Sequence, residues 1–143
     1  MIVYADASML VKRYLVEAGS AQVIALLTPP TIMGTAVITR AEVSAALAKA
    51  VRLSIVTHAE ADKSLADFRH HWPYVLRLRI NEAVVKRADE LAWEHNLRGY
   101  DAVHLAAALS WQAALDEPVT LGTYDQQLWQ AGQNAGLAVW PLS

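Results

Sequence analysis

The segment Ile2-Val-Tyr-Ala-Asp6 lies at the start of the chain, and Val119-Thr-Leu121 follows Pro118 near its end. Both contain a short apolar run rich in β-branched residues, a pattern typical of buried strands in a parallel sheet. Two weaker candidates of the same kind are Ala36-Val-Ile38 and Leu137-Ala-Val-Trp140. These four segments predict the strands of a central sheet.

Helical patterns separate the predicted strands, and most of them begin at a residue that can cap a helix. A Ser or Thr followed three residues later by Glu or Gln is a capping box. We expect helices in the following segments, with the capping residue given first: Ser20, for a short helix ending before Pro29; Thr39 with Glu42, through about Arg52; Thr57 with Glu60, towards Trp72; Asn81, over Glu82–His95; Asp101, over Ala102–Leu115; and Thr123 with Gln126, to about Ala131. Strands alternating with helices indicate an α/β domain with a mostly parallel sheet.

Length and composition limit the class of protein. The 143 residues predict one domain. Hydrophobic residues make up 55% of the chain, which excludes intrinsic disorder because enough apolar surface exists to offset the entropy of ordering. The absence of cysteine excludes a disulfide scaffold, a thiolate zinc site and a cysteine nucleophile. No apolar run is long enough to span a bilayer, and the N-terminal segment lacks the basic flank of a signal peptide, so we expect a cytoplasmic protein.

Four acidic residues, hereafter the four acids, follow predicted strands or begin predicted helices: Asp6, Glu42, Asp101 and Asp125. In a parallel α/β sheet such positions meet beyond the carboxyl ends of the strands, where ligand sites form. If they converge within about 5 Å, each pair repels by about 3 kcal/mol at an effective dielectric of 20, and a divalent cation would remove that repulsion. Carboxylates without thiolates suit Mg²⁺ or Mn²⁺. Such a site favours metal-dependent hydrolysis of phosphodiesters.

Each acid also has a purely structural explanation. Glu42 completes a predicted capping box, Asp101 is a good N-cap, and Asp125 lies in a predicted first helical turn, where carboxylates are favoured. Asp6 can cap a helix that begins near Ser8. For any one acid alone, capping is the more common role, and only the combination of all four favours a metal site.

The chain resembles PIN domains, and among them the toxin ribonucleases of VapBC toxin–antitoxin pairs. The resemblance rests on motifs that occur in the same order: Asp6-Ala-Ser8 with Leu10-Val-Lys-Arg-Tyr-Leu15 and Glu17-x-Gly19-Ser20; Thr39-Arg-Ala-Glu42-Val-x-Ala-Ala-Leu47; Leu97-Arg-Gly-Tyr-Asp101-Ala-Val-His-Leu-Ala-Ala-Ala108; and Leu121-x-Thr123-Tyr-Asp125-x-x-Leu128 with Ala135-Gly-Leu-x-Val139. One motif alone would be weak evidence, whereas four in order are fairly specific.

The resemblance implies a three-layer α/β/α fold and an endoribonuclease dependent on Mg²⁺ or Mn²⁺. It implies metal coordination by Asp6, Asp101 and Asp125, with Glu42 binding the metal directly or through water. Polar positions that orient ligands or water are matched by Ser8 and Thr123. The family also implies RNA as substrate, a VapB-like antitoxin as partner, and a homodimer.

Other functions stay open at this stage. A phosphatase or receiver-like enzyme is disfavoured, because Asp6-Ala-Ser8 is not an Asp-x-Asp pair and no Walker loop or G-x-S-x-G elbow occurs. A PIN nuclease of RNA processing that is not a toxin is one alternative. A non-catalytic α/β module that binds protein is another.

Charge gives no general reason to expect nucleic-acid binding, because the net charge is −2. Local positive charge near the four acids can come from Lys12, Arg13, Arg40 and Arg98. These side chains either meet substrate phosphates or form ion pairs and solvated helix faces.

His104 and two tryptophans have both a functional and a structural explanation. His104 follows Asp101 by three residues on the same predicted helix face, so it is an orienting partner of that acid, a general acid, or a hydrogen-bonded core residue. We expect the core role. Trp93 and Trp111 stand at helical core spacing, and we expect them to pack rather than to stack on bases.

Overall fold

The computed structural model describes residues 1–142 and contains a five-stranded sheet in which all paired neighbours are parallel. Its strands are β1 (Ile2–Ala5), β2 (Ile32–Ala36), β3 (Leu76–Leu78), β4 (Thr120–Gly122) and β5 (Ala138–Trp140). Their order across the sheet is β3-β2-β1-β4-β5. The order reverses at β1, and ligand sites in open α/β sheets form beyond the carboxyl ends of the strands at such a point. The predicted fold class is confirmed.

The helices cover both faces of this sheet. Within residues 1–142 they are α1 (Ala7–Leu10), α2 (Ser20–Leu26), α3 (Thr39–Arg52), α4 (His58–His71), α5 (Glu82–His95), α6 (Gly99–Leu115) and α7 (Gln126–Asn134). Single 3-10 turns follow α1 at Val11–Arg13 and α4 at Trp72–Tyr74. The capping box of Thr57 with Glu60 and the Asn81 cap of α5 are both present, as predicted.

Two strands differ from the sequence prediction, whereas β1 and β4 confirm it to within one residue. β2 ends at Ala36, because Ile38 already has helical backbone angles and is the N-cap residue of α3. Inside β2, Gly34 leaves room for the Trp111 ring, which a Cβ at this position would approach to 2.8 Å. β3 was not predicted at all, because this short edge strand has no long apolar run.

Thr39 and Ser20 are not the helix caps that the sequence predicts, because their hydroxyls bond to other groups. The Thr39 hydroxyl lies 2.7 Å from that of Thr35, and α3 begins at Thr39 itself. The Ser20 hydroxyl donates to the Leu15 carbonyl at 2.8 Å, while Gly19 is the N-cap residue of α2. In both cases a tertiary or loop contact replaces the local bond that the pattern predicts.

Apolar side chains form one core on each face of the sheet. On one face α6 is the central helix, and its residues Leu105–Ala108 are all buried. Trp111 is buried as predicted, but the prediction for Trp93 is wrong, since its side chain is 91% exposed. The buried stripe of α5 runs through Val84, Ala88 and Leu91, and Trp93 lies off that stripe.

The described part of the chain contains no helix that combines the length and the apolar character needed to cross a membrane.

Candidate active site

The end of the central strand β1 places Asp6 among three hydrogen-bond donors. Its Oδ1 accepts from the Ser8 hydroxyl at 2.7 Å and from the Met9 backbone N–H at 3.0 Å. Its Oδ2 accepts from the Thr123 hydroxyl at 2.6 Å. The Met9 contact caps α1, so the structural role predicted for Asp6 is present. Burial nevertheless raises the pKa of Asp6 above its usual value, which disfavours the ionised form unless a cation is near.

Thr123 connects Asp6 to the start of α7. Its Oγ1 accepts from the Asp125 backbone N–H at 3.0 Å while it donates to Asp6. The predicted capping box of Thr123 with Gln126 is therefore wrong. Asp125 is the N-cap residue of α7, because its Oδ1 accepts from the Leu128 N–H at 2.9 Å.

Arg98 joins two of the four acids through a single guanidinium group. Its Nε donates to Asp101 Oδ2 at 2.9 Å, and its Nη2 donates to Asp125 Oδ2 at 2.7 Å. Asp101 is therefore not the N-cap predicted from the sequence: it lies in the first turn of α6, and Arg98 is the N-cap residue. Burial raises the pKa of Asp101, and the nearby charge of Asp125 adds to that effect. Two carboxylates thus share one cation that comes from the chain itself.

Glu42 is oriented by a buried histidine. His104 Nε2 lies 2.6 Å from Glu42 Oε1, and His104 Nδ1 lies 2.7 Å from the Tyr4 hydroxyl. The predicted capping box of Thr39 with Glu42 is wrong, because the Glu42 side chain turns towards His104 instead. His104 is buried and hydrogen-bonded as expected, yet its partner is one of the four acids.

The pKa of His104 reflects this environment. Burial alone would lower it, but the hydrogen bond and charge of Glu42, together with Asp6 and Asp101, raise it above its usual value. The sequence places His104 one turn after Asp101, which is a detectable signal. Tyr4 gives no such signal, because it lies within an apolar strand.

Shared neighbours therefore link three of the acids in one contact chain. Asp6 and Asp125 share Thr123, and Asp125 and Asp101 share Arg98. Glu42 lies outside this chain of contacts: its partner is His104, whose pKa is raised by Glu42 and by the nearby charges of Asp6 and Asp101. All of these contacts lie where strands end and helices begin.

The donor chemistry of this site fits a hard divalent cation, because every one of the four acids offers carboxylate oxygen. In the present arrangement, however, no three histidine or acidic side chains within residues 1–142 form a group that could hold an ion. Arg98 joins Asp101 and Asp125, and Asp6 already accepts three hydrogen bonds. Direct coordination through Oδ2 of Asp101 and of Asp125 therefore competes with Arg98 for these oxygens.

The other basic side chains near the site already have partners or face solvent. Lys12 Nζ pairs with Glu17 at 3.1 Å and lies 4.5 Å from the centre of the Tyr124 ring. The Arg13 guanidinium lies over the Tyr14 ring, and Arg40 is exposed on α3.

The raised pKa values of three groups in the site predict how the free energy of unfolding depends on pH in the absence of metal. Asp6, Asp101 and His104 each have a folded-state pKa above the usual value. Each group therefore contributes stability that is complete below its unfolded-state pKa and is lost as pH rises through its folded-state pKa. In EDTA, Asp6→Asn should gain stability relative to the unchanged chain as pH rises from about 4 upwards. Urea unfolding across a pH series measures this difference.

The matched control for that series is Asp62→Asn, because Asp62 is an exposed carboxylate paired with His58. Its stability should stay within about 0.5 kcal/mol of that of the unchanged chain across the series, as is usual for surface substitutions. If the stability of Asp6→Asn stayed parallel to that of the unchanged chain, burial of Asp6 would not disfavour its charge.

The comparisons with known families, sequences and solved structures agree with one another. The family model described as "PIN domain" matches residues 3–131. Ribonucleases VapC45 and VapC49 of Mycobacterium tuberculosis are each 34% identical to this chain over 140 residues, which is 98% of this chain and 95% of each relative.

Solved structures show the same fold. VapBC2 from Rickettsia felis, bound to a promoter DNA fragment, has a TM-score of 0.65 at 13% identity and covers 97% of both chains. The sarcin-ricin loop cleaving toxin VapC20 of Mycobacterium tuberculosis has a TM-score of 0.65 at 15% identity, covering 95% of this chain and 96% of that one. At these identities the likeness concerns the fold alone.

Proposed function

The chain belongs to the PIN domain family, and from that premise we propose that it is an endoribonuclease and the toxin of a toxin–antitoxin pair. The observation that carries the proposal is the contact chain that links Asp6, Asp125 and Asp101 through Thr123 and Arg98, with Glu42 hydrogen-bonded to His104 on the same helix as Asp101. The named ribonucleases at 34% identity match 98% of this chain, which supports an activity of the whole chain.

We propose that the four acids bind Mg²⁺ or Mn²⁺. Such an ion, when bound, activates a water for attack on the phosphodiester and neutralises charge on the leaving oxygen. The chain's own residues prepare the site: Ser8 and Thr123 orient Asp6, and His104 orients Glu42. Once Arg98 has released the acids, its guanidinium can contact a phosphate oxygen of the RNA, because its planar donors match that group.

The proposed partners are an RNA substrate, a VapB-like antitoxin and a second copy of the chain. Support for the antitoxin comes from the Rickettsia felis neighbour, which is a VapBC pair. Large exposed apolar side chains such as Val16 and Trp93 offer surface that a protein partner can cover.

The direct test is cleavage of a labelled total-RNA pool by the purified chain, separated from any antitoxin. We expect cleavage with Mn²⁺ and none with EDTA. Intact RNA in the presence of Mn²⁺, or equal cleavage in EDTA, would contradict the proposal. A non-catalytic protein-binding module would also show no rise in melting temperature on addition of Mn²⁺.

Toxin activity is distinguished from RNA processing by expression of the chain in a host cell. We expect growth arrest that co-expression of the protein encoded next to it relieves. Normal growth, with RNA cleavage intact in vitro, would favour a processing nuclease.

Arg98→Ala should strengthen Mn²⁺ binding, because the cation would no longer compete with the guanidinium for Asp101 and Asp125. Ion pairs of exposed side chains have small energies, so we expect about a three- to tenfold lower dissociation constant, measured by calorimetry without RNA. Arg87→Ala is the matched control, since it also removes one exposed arginine paired with a carboxylate. Unchanged or weaker Mn²⁺ binding by the Arg98 variant would show that the guanidinium does not compete.

A further inference from the structure

A cavity of about 380 Å³ lies beside the acids, between the start of α7 and the residue after β5. Its lining comprises Thr123, Tyr124, Asp125, Gln126, Trp129 and Pro141. Because Asp125 and Thr123 also belong to the contact chain of Asp6, Asp101 and Asp125, the cavity adjoins the candidate active site.

Contacts within the chain hold the two aromatic walls of the cavity in place. Trp129 Nε1 donates to the Pro141 carbonyl at 2.6 Å, which fixes the orientation of the indole. The Tyr124 ring meets the Trp140 ring edge to face, with ring centres 5.9 Å apart and planes at 90°. These rings need little further ordering when a ligand binds, and such preorganisation strengthens binding.

We propose that this cavity binds one base of the RNA, at the nucleotide next to the scissile phosphate. The inference rests on the proposed nuclease function and adds a specificity site to it. Aromatic faces stack on unpaired bases, which is how proteins most often recognise single-stranded RNA. The volume lies at the small end of the range for ligand pockets and suits one nucleoside better than a helix or a long peptide of a protein partner.

Gln126 is the residue we assign to base selection. It is the first residue of α7, it is exposed, and it lines the cavity. Its amide carries both a donor and an acceptor, the combination that an edge of a base requires for paired hydrogen bonds. Arg98 contacts Asp125 at the cavity wall, so a phosphate beside Arg98 and a base beside Gln126 can belong to one nucleotide step.

The test uses a pool of random-sequence RNA, cleaved with Mn²⁺ and sequenced at the cut ends. We expect the unchanged chain to prefer one base at one position adjacent to the cut. Gln126→Ala should weaken that preference by about fivefold or more and leave the other positions unchanged, since one paired contact to a base carries discrimination of this size. Gln127→Ala is the matched control, because Gln127 is the next residue of α7, is exposed, and does not line the cavity.

A base preference that is the same in the unchanged chain and Gln126→Ala would overturn the assignment while leaving nuclease activity intact. Equal loss of preference in Gln127→Ala would also overturn it. If the unchanged chain cuts no RNA, a binding experiment tests the cavity assignment instead. The four ribonucleoside monophosphates are titrated into the Asp6→Asn protein. Selective binding of one of them, lost in Asp6→Asn with Gln126→Ala, supports the cavity assignment, and equal binding or none rejects it.

Discussion

Asp6→Asn should reduce the rate of RNA cleavage by at least about 10²-fold, because removing a charge aimed at the reacting groups typically has an effect of this size. Asp6 follows the central strand and receives hydrogen bonds from Ser8 and Thr123, so it is the acid most firmly fixed by its surroundings. Asparagine retains a side-chain oxygen that can accept from the Met9 N–H. Lost activity should therefore not reflect a lost helix cap.

The measurement is the initial cleavage rate of a labelled RNA at saturating Mn²⁺, with urea unfolding of the same samples as the folding control. Asp62→Asn provides a surface carboxylate for comparison and should cleave at the unchanged rate. Cleavage by Asp6→Asn within a few-fold of the unchanged chain would leave Asp6 with its capping role alone.

His104→Ala should lower the free energy of unfolding by about 3 kcal/mol. The ring is 2% exposed, so its removal leaves a cavity in the core. It also leaves the Tyr4 hydroxyl, which is fully buried, without its histidine partner. Glu42 loses its orienting contact as well, and we expect RNA cleavage to fall by about 10- to 100-fold, as when outer partners of a metal ligand are removed.

A double variant separates the two contributions to the His104 effect on stability. His104→Ala combined with Tyr4→Phe removes the unpaired hydroxyl but keeps the cavity left by the imidazole, so its loss of stability should be smaller than that of His104→Ala. His58→Ala is the surface control, since His58 is 80% exposed. A double variant as unstable as His104→Ala would mean that lost packing, rather than the unpaired hydroxyl, explains the effect.

Local sequence patterns predict the strands and helices whose end signals lie next to them in the chain. Strands β1 and β4 stand out because short apolar runs end at turn residues, and α4 and α5 because their caps lie next to them in the chain. β2 differs because the glycine in its interior, Gly34, leaves room for the Trp111 ring, which lies 77 residues away in the chain. No local pattern contains that contact.

The positions of the four acids followed from the predicted strands, but the directions of their side chains did not. The local rule assigns Glu42, Asp101 and Thr123 to helix caps, whereas each is engaged by a partner that the rule ignores. Glu42 turns to His104, which is 62 residues away, and Thr123 turns to Asp6, which is 117 residues away. Because such long-range bonds depend on the assembled sheet, no local sequence pattern predicts them.

The placement of the acids has a consequence for synthesis of the chain on the ribosome. Asp6 is synthesised well before Asp125 and before the β4 strand that pairs with β1. A growing polypeptide therefore lacks both the full set of acids and one neighbour of its central strand until translation has passed Asp125. Under the proposed function, the cell making this nuclease is not exposed to its activity until the segment with β4 and Asp125 has left the ribosome.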